Sequence, residues 1–284
     1  MKPEQPSRTA LATAAARAAH LIVDDDPPIF ADTLALPLLG GLADKILERH
    51  RAFGQHVALW GTRALATARS RYTEDRLADA AGRGVRQYVI LGAGLDSFAY
   101  RSDLAGDVAV FEVDHPATQQ WKRRLLSEAR IKVPEAVTFV PVDFETDSLA
   151  GRLTGSGFNP AEPALVSWLG VTMYLTGAAL RQTLGQLGGF APGTELVVNY
   201  MLPVGMQDEL ARSYAGIVMP AAAKRGEPWL TLLAPGDMTA LLERHGFGEV
   251  RHISQHDTVT AGLWQRTDPL RPLNLSNLAH ATVT

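Results

Sequence analysis

Two short stretches hold the side chains most able to do chemistry. Gly92-Ala93-Gly94-Leu95-Asp96-Ser97 follows the apolar run Gln87-Tyr88-Val89-Ile90-Leu91, and Glu112-Val113-Asp114-His115 closes the next apolar run. Glycines in a strand-to-helix turn let a ligand approach the backbone where a Cβ would block it. Acids at the end of the following strand can accept hydrogen bonds from both hydroxyls of a ribose. The pattern therefore predicts a nucleoside-binding βαβ unit. Glu112 and Asp114 stand two apart, so they share a strand face. One is free to hold ribose while the other balances an arginine.

The type of nucleoside follows from charge. A dinucleotide fingerprint needs a third glycine, and Ser97 stands in its place. Asp96 would face a pyrophosphate, and like charges repel. S-adenosyl-L-methionine has no phosphate and presents an ammonium and a sulfonium, so a carboxylate suits it. No Tyr-x-x-x-Lys pair supports the rival reading, a nicotinamide-dependent oxidoreductase. G-x-S-x-G, H-E-x-x-H and a P-loop are absent as well.

Methyl transfer from a sulfonium is an in-line displacement that needs the acceptor held close and water excluded. A carboxylate acceptor is already ionised and needs no base, whereas a hydroxyl needs a proton acceptor. Tyr174 and Tyr200 are the catalytic candidates, because both fall near strand ends at the carboxyl edge, where ligands sit. The alternative for each is a packing aromatic with a satisfied hydroxyl. The eight histidines are scattered without metal-ligand spacing, so no metal is expected. Arg63, Arg69, Arg71, Arg76, Arg83 and Arg86 crowd one segment, but Glu74, Asp75 and Asp79 interleave with them. That reads as a salt-bridged helix face and not as a nucleic-acid patch.

These residues need a scaffold. Strands are predicted near 86–91, 108–113, 137–142, 163–169 and 195–201, alternating with helices. Alternation implies an α/β fold with a mostly parallel sheet covered on both faces. Thr176 is placed to cap a helix carrying Leu180, Leu184 and Leu187, and Asp237 to cap another that Gly246 ends. The helix after Pro116 is expected to turn Trp121, Leu125 and Leu126 inward and Lys122, Arg123 and Arg124 outward. Runs near 249–255 and 258–265 look like a closing antiparallel pair. Helices over 8–20, 30–50 and 53–68 precede the first strand. The resulting division is a helical cap (1–70), a sheet domain (71–266) with a lid-like insertion (202–235), and a loosely held tail (267–284).

Composition sets outer limits. The 284 residues suffice for one large domain with a cap, and the net charge of −3 gives no case for nucleic acid or anionic membrane as partner. The absence of cysteine excludes disulfides and thiol nucleophiles. No stretch has the apolar core of a signal peptide or the length of a membrane span, so a soluble cytoplasmic protein is the expectation. Oligomeric state leaves no trace in the sequence.

Five segments together resemble the leucine carboxyl methyltransferase family, in its bacterial S-adenosyl-L-methionine-dependent branch. They are Ala68-Arg69-Ser70-Arg71-Tyr72-Thr73-Glu74-Asp75, the strand and turn Val89 to Ser97 with Tyr100-Arg101, Phe111-Glu112-Val113-Asp114, Val142-Asp143-Phe144, and Trp168-Leu169-Gly170-Val171-Thr172-Met173-Tyr174-Leu175. The likeness spans roughly residues 15 to 265. It implies a Rossmann-like, class I methyltransferase sheet of seven strands, with an N-terminal helical extension and an insertion after the fifth strand. It implies that Arg69 holds the cofactor's carboxylate, that Gly92, Ala93 and Gly94 line its methionine end, and that Asp114 takes the ribose. Asp143 and Phe144 would meet the adenine, and Asn199-Tyr200 matches the family's pair after the fifth strand. Leu169 departs from the pattern, since the family often has Glu there, close to the cofactor's amino group. Asp96 and backbone carbonyls would then serve the ammonium alone. The departure also leaves open a cofactor-binding protein without transfer activity. The acceptor implied is a carboxylate or hydroxyl on a small molecule of secondary-metabolite type, with a protein carboxylate as an alternative.

Overall fold

The computed structural model describes residues 7–284. Five parallel strands form its centre: β1 (Gln87–Leu91), β2 (Ala109–Asp114), β3 (Val137–Pro141), β4 (Leu165–Trp168) and β5 (Glu195–Met201). Two more, β6 (Phe247–Ser254) and β7 (Ser276–Val283), complete a sheet ordered β3-β2-β1-β4-β5-β7-β6. The order reverses between β1 and β4, and a crevice opens at the carboxyl ends of strands at such a reversal.

Alternate strand residues feed two faces. Val89, Leu91, Phe111, Val113, Val166 and Trp168 pack in one cluster with Leu180 and Leu184 of α7 (Gly177–Leu187) and Leu242 of α9 (Pro235–Glu243). Tyr88, Ile90 and Val110 point the other way, onto Leu77 and Ala80 of α3 (Val57–Gly82). Thr176 caps α7 by accepting from the Ala179 N–H, as its position predicted. At α9 the cap is Ala234, and Asp237 lies within the first turn.

The last strand pair differs from the sequence expectation. β6 lies where the first run was read, but its antiparallel partner is β7, which also pairs antiparallel with β5. The stretch read as a loose tail is thus an inner strand. Its apolar positions include Ala279 and Ala281, both fully buried, and small residues give little hydrophobic signal. Residues 258–265 form short 3-10 turns instead, and Val259, Leu263 and Trp264 pack on the α3 side of the molecule.

The cap consists of α1 (Arg8–Val23), a 3-10 stretch Pro37–Leu42, α2 (Ala43–Phe53) and α3. The division expected at residue 70 falls inside α3, which runs without a break to Gly82. Thr67 and Thr73 tolerate the helix interior by donating their hydroxyls to the carbonyls of Arg63 and Arg69, one turn back. Residues 202–235, where no periodicity was read, contain α8 (Glu209–Lys224). Its Tyr214 ring packs so closely on Gly61 of α3 that a Cβ there would lie 2.7 Å from it. Among the described residues no helix is long and apolar enough to cross a membrane.

One further correction concerns α5 (Pro116–Glu128). Lys122, expected outside, is 1% exposed and donates to Glu112 Oε2 at 2.7 Å. Trp121 is only partly buried. Glu112, fully buried on β2, is therefore balanced by a lysine of the next helix. Burial pushes the Glu112 carboxyl up, against the pull of Lys122. Breaking a buried pair strands the remaining charge at a cost of about 3–5 kcal/mol. We expect Glu112→Ala to lower unfolding free energy by about that amount in urea titration. A loss below about 1 kcal/mol would show that the pair is dispensable.

Candidate active site at the carboxyl edge of the sheet

The turn after β1 is tied to β2 by its own backbone. The N–H groups of Gly92 and Ala93 both donate to the Val113 carbonyl, at 2.8 and 3.0 Å. Gly92 and Gly94 have φ of 70° and 47°, the left-handed region that glycine enters without strain. The Gly94 N–H donates to Asp114 Oδ2 at 2.6 Å, and the His115 N–H to Oδ1 at 2.7 Å. Both carboxylate oxygens of Asp114 are thus oriented by backbone. Burial pushes the Asp114 carboxyl up, and these two hydrogen bonds oppose it.

Asp143 and Phe144 follow β3, and the preceding Val142 N–H donates to the Asp114 carbonyl, so the two strand ends are adjacent. Asp143 Oδ1 accepts from the Glu145 N–H at 3.0 Å. The Phe144 ring lies 6.0 Å from Trp168 of β4. Asp96 Oδ1 accepts from the Phe98 N–H at 2.8 Å, at the start of α4 (Phe98–Arg101).

Arg69 reaches the same edge from α3. Its Nη1 donates to Asn199 Oδ1 at 3.2 Å, and no ion pair holds it among the described residues. Asn199 is fixed in turn, since its Nδ2 donates to the Asn277 carbonyl at 3.2 Å. The guanidinium lies against Gly170 at the end of β4, where a Cβ would come within 2.7 Å of both Nη atoms. Burial, reinforced by the charge of Arg17, pushes the Arg69 pKa down to about 10. Leu169, beside Gly170, presents no acceptor side chain.

The two tyrosine candidates part company. Tyr174 ends a 3-10 turn after β4, and burial pushes its hydroxyl up to about 12, with Thr9 opposing. Tyr200 is 1% exposed and faces the α9 side of the sheet, opposite to Asn199. Its hydroxyl shares a 2.8 Å hydrogen bond with His252 Nδ1, and His252 Nε2 meets Thr239 Oγ1 at 2.8 Å. Tyr200 is therefore a satisfied packing residue and is not brought together with Arg69 and Tyr174.

Three residues at this edge escaped the sequence reading. Asp32, 1% exposed, accepts from Arg17 Nε at 2.7 Å, Ser97 Oγ at 2.6 Å and the Ala35 N–H at 2.9 Å. Arg17 Nη2 donates to the Leu95 carbonyl at 2.7 Å, which docks α1 on the glycine turn. Glu227, after α8, accepts from Ser7 Oγ at 2.8 Å. The spacing of Arg17 and Asp32 carries no local signal, because the loop between them sets their meeting.

Seven strands with a reversed order, an antiparallel last pair and a glycine turn facing an acid define a Rossmann-like methyltransferase fold. The chain matches the leucine carboxyl methyltransferase family over residues 10–188. It is 29% identical over 303 aligned positions to "Putative S-adenosyl-L-methionine-dependent methyltransferase YktD" of Bacillus subtilis, covering 99% of each chain. A protein of the same description from Mycobacteroides abscessus is 34% identical, over 74% of this chain and 69% of its own length. A DUF574 family protein from Streptomyces avermitilis has the same fold, with TM-score 0.63, 15% identity and 99% coverage of both chains. A crystal structure of a putative methyltransferase from Thermobifida fusca superposes with TM-score 0.54 at 16% identity, over 100% of this chain and 97% of that one. The chain belongs to the leucine carboxyl methyltransferase family. It is a methyltransferase, and S-adenosyl-L-methionine is its cofactor.

The docking of α1 is expected to weaken in acid. Burial works against the charge of Asp32, but Arg17, Ser97 and Arg101 prevail and hold its carboxyl below the ordinary 3.8. A depressed carboxyl stabilises the fold above its unfolded pKa and loses that contribution as pH falls through the folded value. We expect Asp32→Asn to be less stable than the parent at pH 6, by about 2–4 kcal/mol in urea titration. The gap should narrow as pH drops below about 3.8. A gap constant from pH 6 to 3 would contradict the assignment.

Proposed function

We propose that this chain transfers the methyl group of S-adenosyl-L-methionine to an oxygen, a carboxylate or hydroxyl, of a small-molecule acceptor. The observation that carries the reading is Arg69, a half-buried guanidinium at the carboxyl edge whose one side-chain partner among the described residues is the amide oxygen of Asn199. A guanidinium fits a carboxylate through paired N–H groups. The amino-acid end of the cofactor supplies such a carboxylate, so the residues present suit the group.

The other roles follow the strand ends. Asp114, with both oxygens oriented by the Gly94 and His115 N–H groups, accepts from the ribose hydroxyls through its remaining lone pairs. Gly92, Ala93 and Gly94 form the backbone floor of the methionine half, and Asp96 faces the ammonium in place of the acid that Leu169 lacks. Asp143 and Phe144, beside Asp114, take the adenine edge and face. When bound, the cofactor supplies an activated methyl on a sulfonium. The chain's own residues hold the acceptor oxygen near it and exclude water. In this reading Tyr174, whose hydroxyl burial pushes up to about 12 and so keeps protonated at neutral pH, donates a hydrogen bond to the acceptor.

Three titrations test this placement. We expect Asp114→Ala to weaken S-adenosyl-L-methionine binding by about 1–3 kcal/mol in calorimetry, the scale of hydrogen bonds to a charged group. Unchanged affinity would count against the ribose role. Arg69→Ala should weaken the full cofactor and spare adenosine, whereas equal loss for both would refute the carboxylate assignment. Transfer of labelled methyl onto panels of small carboxylic acids and phenols decides the acceptor class, and no transfer to any oxygen would defeat the reading.

A further inference from the structure

The glycine turn does not face open space. A Cβ on Gly94 would lie 2.9 Å from the Cβ of Ala10, and one on Gly92 would strike Val171. The first turn of α1 therefore lies directly across the turn to which the methionine half of the cofactor is assigned. Its start is held from two sides. The Ser7 N–H donates to Thr118 Oγ1 of α5 at 3.4 Å, on the β2 side. Ser7 Oγ donates to Glu227 Oε1 at 2.8 Å, and Thr9 Oγ1 to the same oxygen at 3.4 Å, on the β4 side.

Glu227 sits on an arm of the insertion that is itself anchored. Leu230 N–H donates to the Met173 carbonyl at 2.6 Å, Thr231 Oγ1 to the Leu175 carbonyl at 2.7 Å, and Leu233 N–H to the Met201 carbonyl at 2.9 Å. The arm is thus fixed to the ends of β4 and β5. Glu227 is only 9% exposed, pairs with no cation among the described residues, and leaves Oε2 without a hydrogen-bond partner. Both of its hydroxyl donors come from the start of α1, so this one side chain joins the arm to that first turn.

We propose that Glu227 is a positioning residue for the cofactor, fastening the first turn of α1 as a clasp across the glycine turn. Cofactor enters and leaves when Ser7 and Thr9 release the carboxylate. This rests on the reading that the cofactor lies along the Gly92–Gly94 turn. Glu227 and Thr9 also border Tyr174, so the same clasp walls the acceptor side.

The test is the dissociation rate of S-adenosylhomocysteine from the full chain, measured by stopped flow. Glu227→Ala and Ser7→Ala should each speed release about tenfold, and the double variant no more than either alone. Glu227→Gln keeps an acceptor oxygen and should stay within about twofold of the parent. Amide exchange of residues 8–12 should rise in the two alanine variants and not in Glu227→Gln. Because the chain has no cysteine, the pair Ser7→Cys/Thr118→Cys gives a reversible lock. The oxidised form should exchange ligand far more slowly than the parent, and a reductant should bring the pair to the faster rate of Ser7→Ala. Release at the parental rate from a folded Glu227→Ala, or free exchange in the oxidised pair, overturns the clasp. Should Glu227→Ala fail to fold, Ser7→Ala and the cysteine pair decide. Asp114→Ala separates the two readings: if it and Arg69→Ala leave affinity intact, the placement of the cofactor is wrong, whereas weakened affinity with unaltered release in the clasp variants refutes the clasp alone.

Discussion

A half-buried guanidinium at the edge of a sheet, with a neutral amide oxygen as its side-chain partner, is the constraint around which this molecule is arranged. Removing a charge from water costs several kcal/mol unless something nearby repays it. Arg69 gains one hydrogen bond from Asn199, which is oriented by Asn277 of β7. Thr172, in the loop after β4, donates to the Asn199 carbonyl at 2.7 Å and braces the same strand end. Gly170 has no Cβ, so the guanidinium can lie flat against the strand end. Three sheet strands and one cap helix thus meet around a cation that has no ion-pair partner among the described residues.

That requirement explains why cap and sheet are not separable. Helix α3 begins in the cap cluster with Trp60 and Ala64 and ends in the sheet cluster with Leu77 and Ala80. Arg69 lies between them, positioned by packing on both sides. Helix α1 is fixed to the glycine turn through Arg17 and Asp32. A shift of the cap would therefore move the cation, the turn and the wall beside Tyr174 together.

The glycine turn, the acids after β2 and β3 and the parallel core are legible in the sequence because each is local. A β-branched run, a Gly-x-Gly and an acid lie within one βαβ unit, and the backbone bonds from Gly92 and Gly94 to β2 follow from that proximity. What the sequence hid is either non-local or chemically quiet. Strand β7 is built on alanines flanked by polar residues, so its burial shows only when β5 and β6 are placed on either side. Lys122 reads as a surface residue until Glu112 is seen beneath it. Asp32, Arg17 and Glu227 gain their meaning from partners far away in the chain. Tyr200 stands at the right strand end, yet strand alternation turns it toward His252.

The charges along the edge are unevenly distributed. Asp96, Asp114 and Asp143 stand at the ends of β1, β2 and β3, while Arg69 stands where β4 and β5 meet. A pyrophosphate centred on the glycine turn would lie near Asp96 and Asp114, and like charges repel. A ligand with its hydroxyls and amine over the acids and its carboxylate toward the arginine meets favourable charge along its whole length. Leu169, beside Gly170, adds no charge to that gradient. On the proposed placement, the polarity of the edge, more than any one residue in it, favours an amino-acid nucleoside over a dinucleotide.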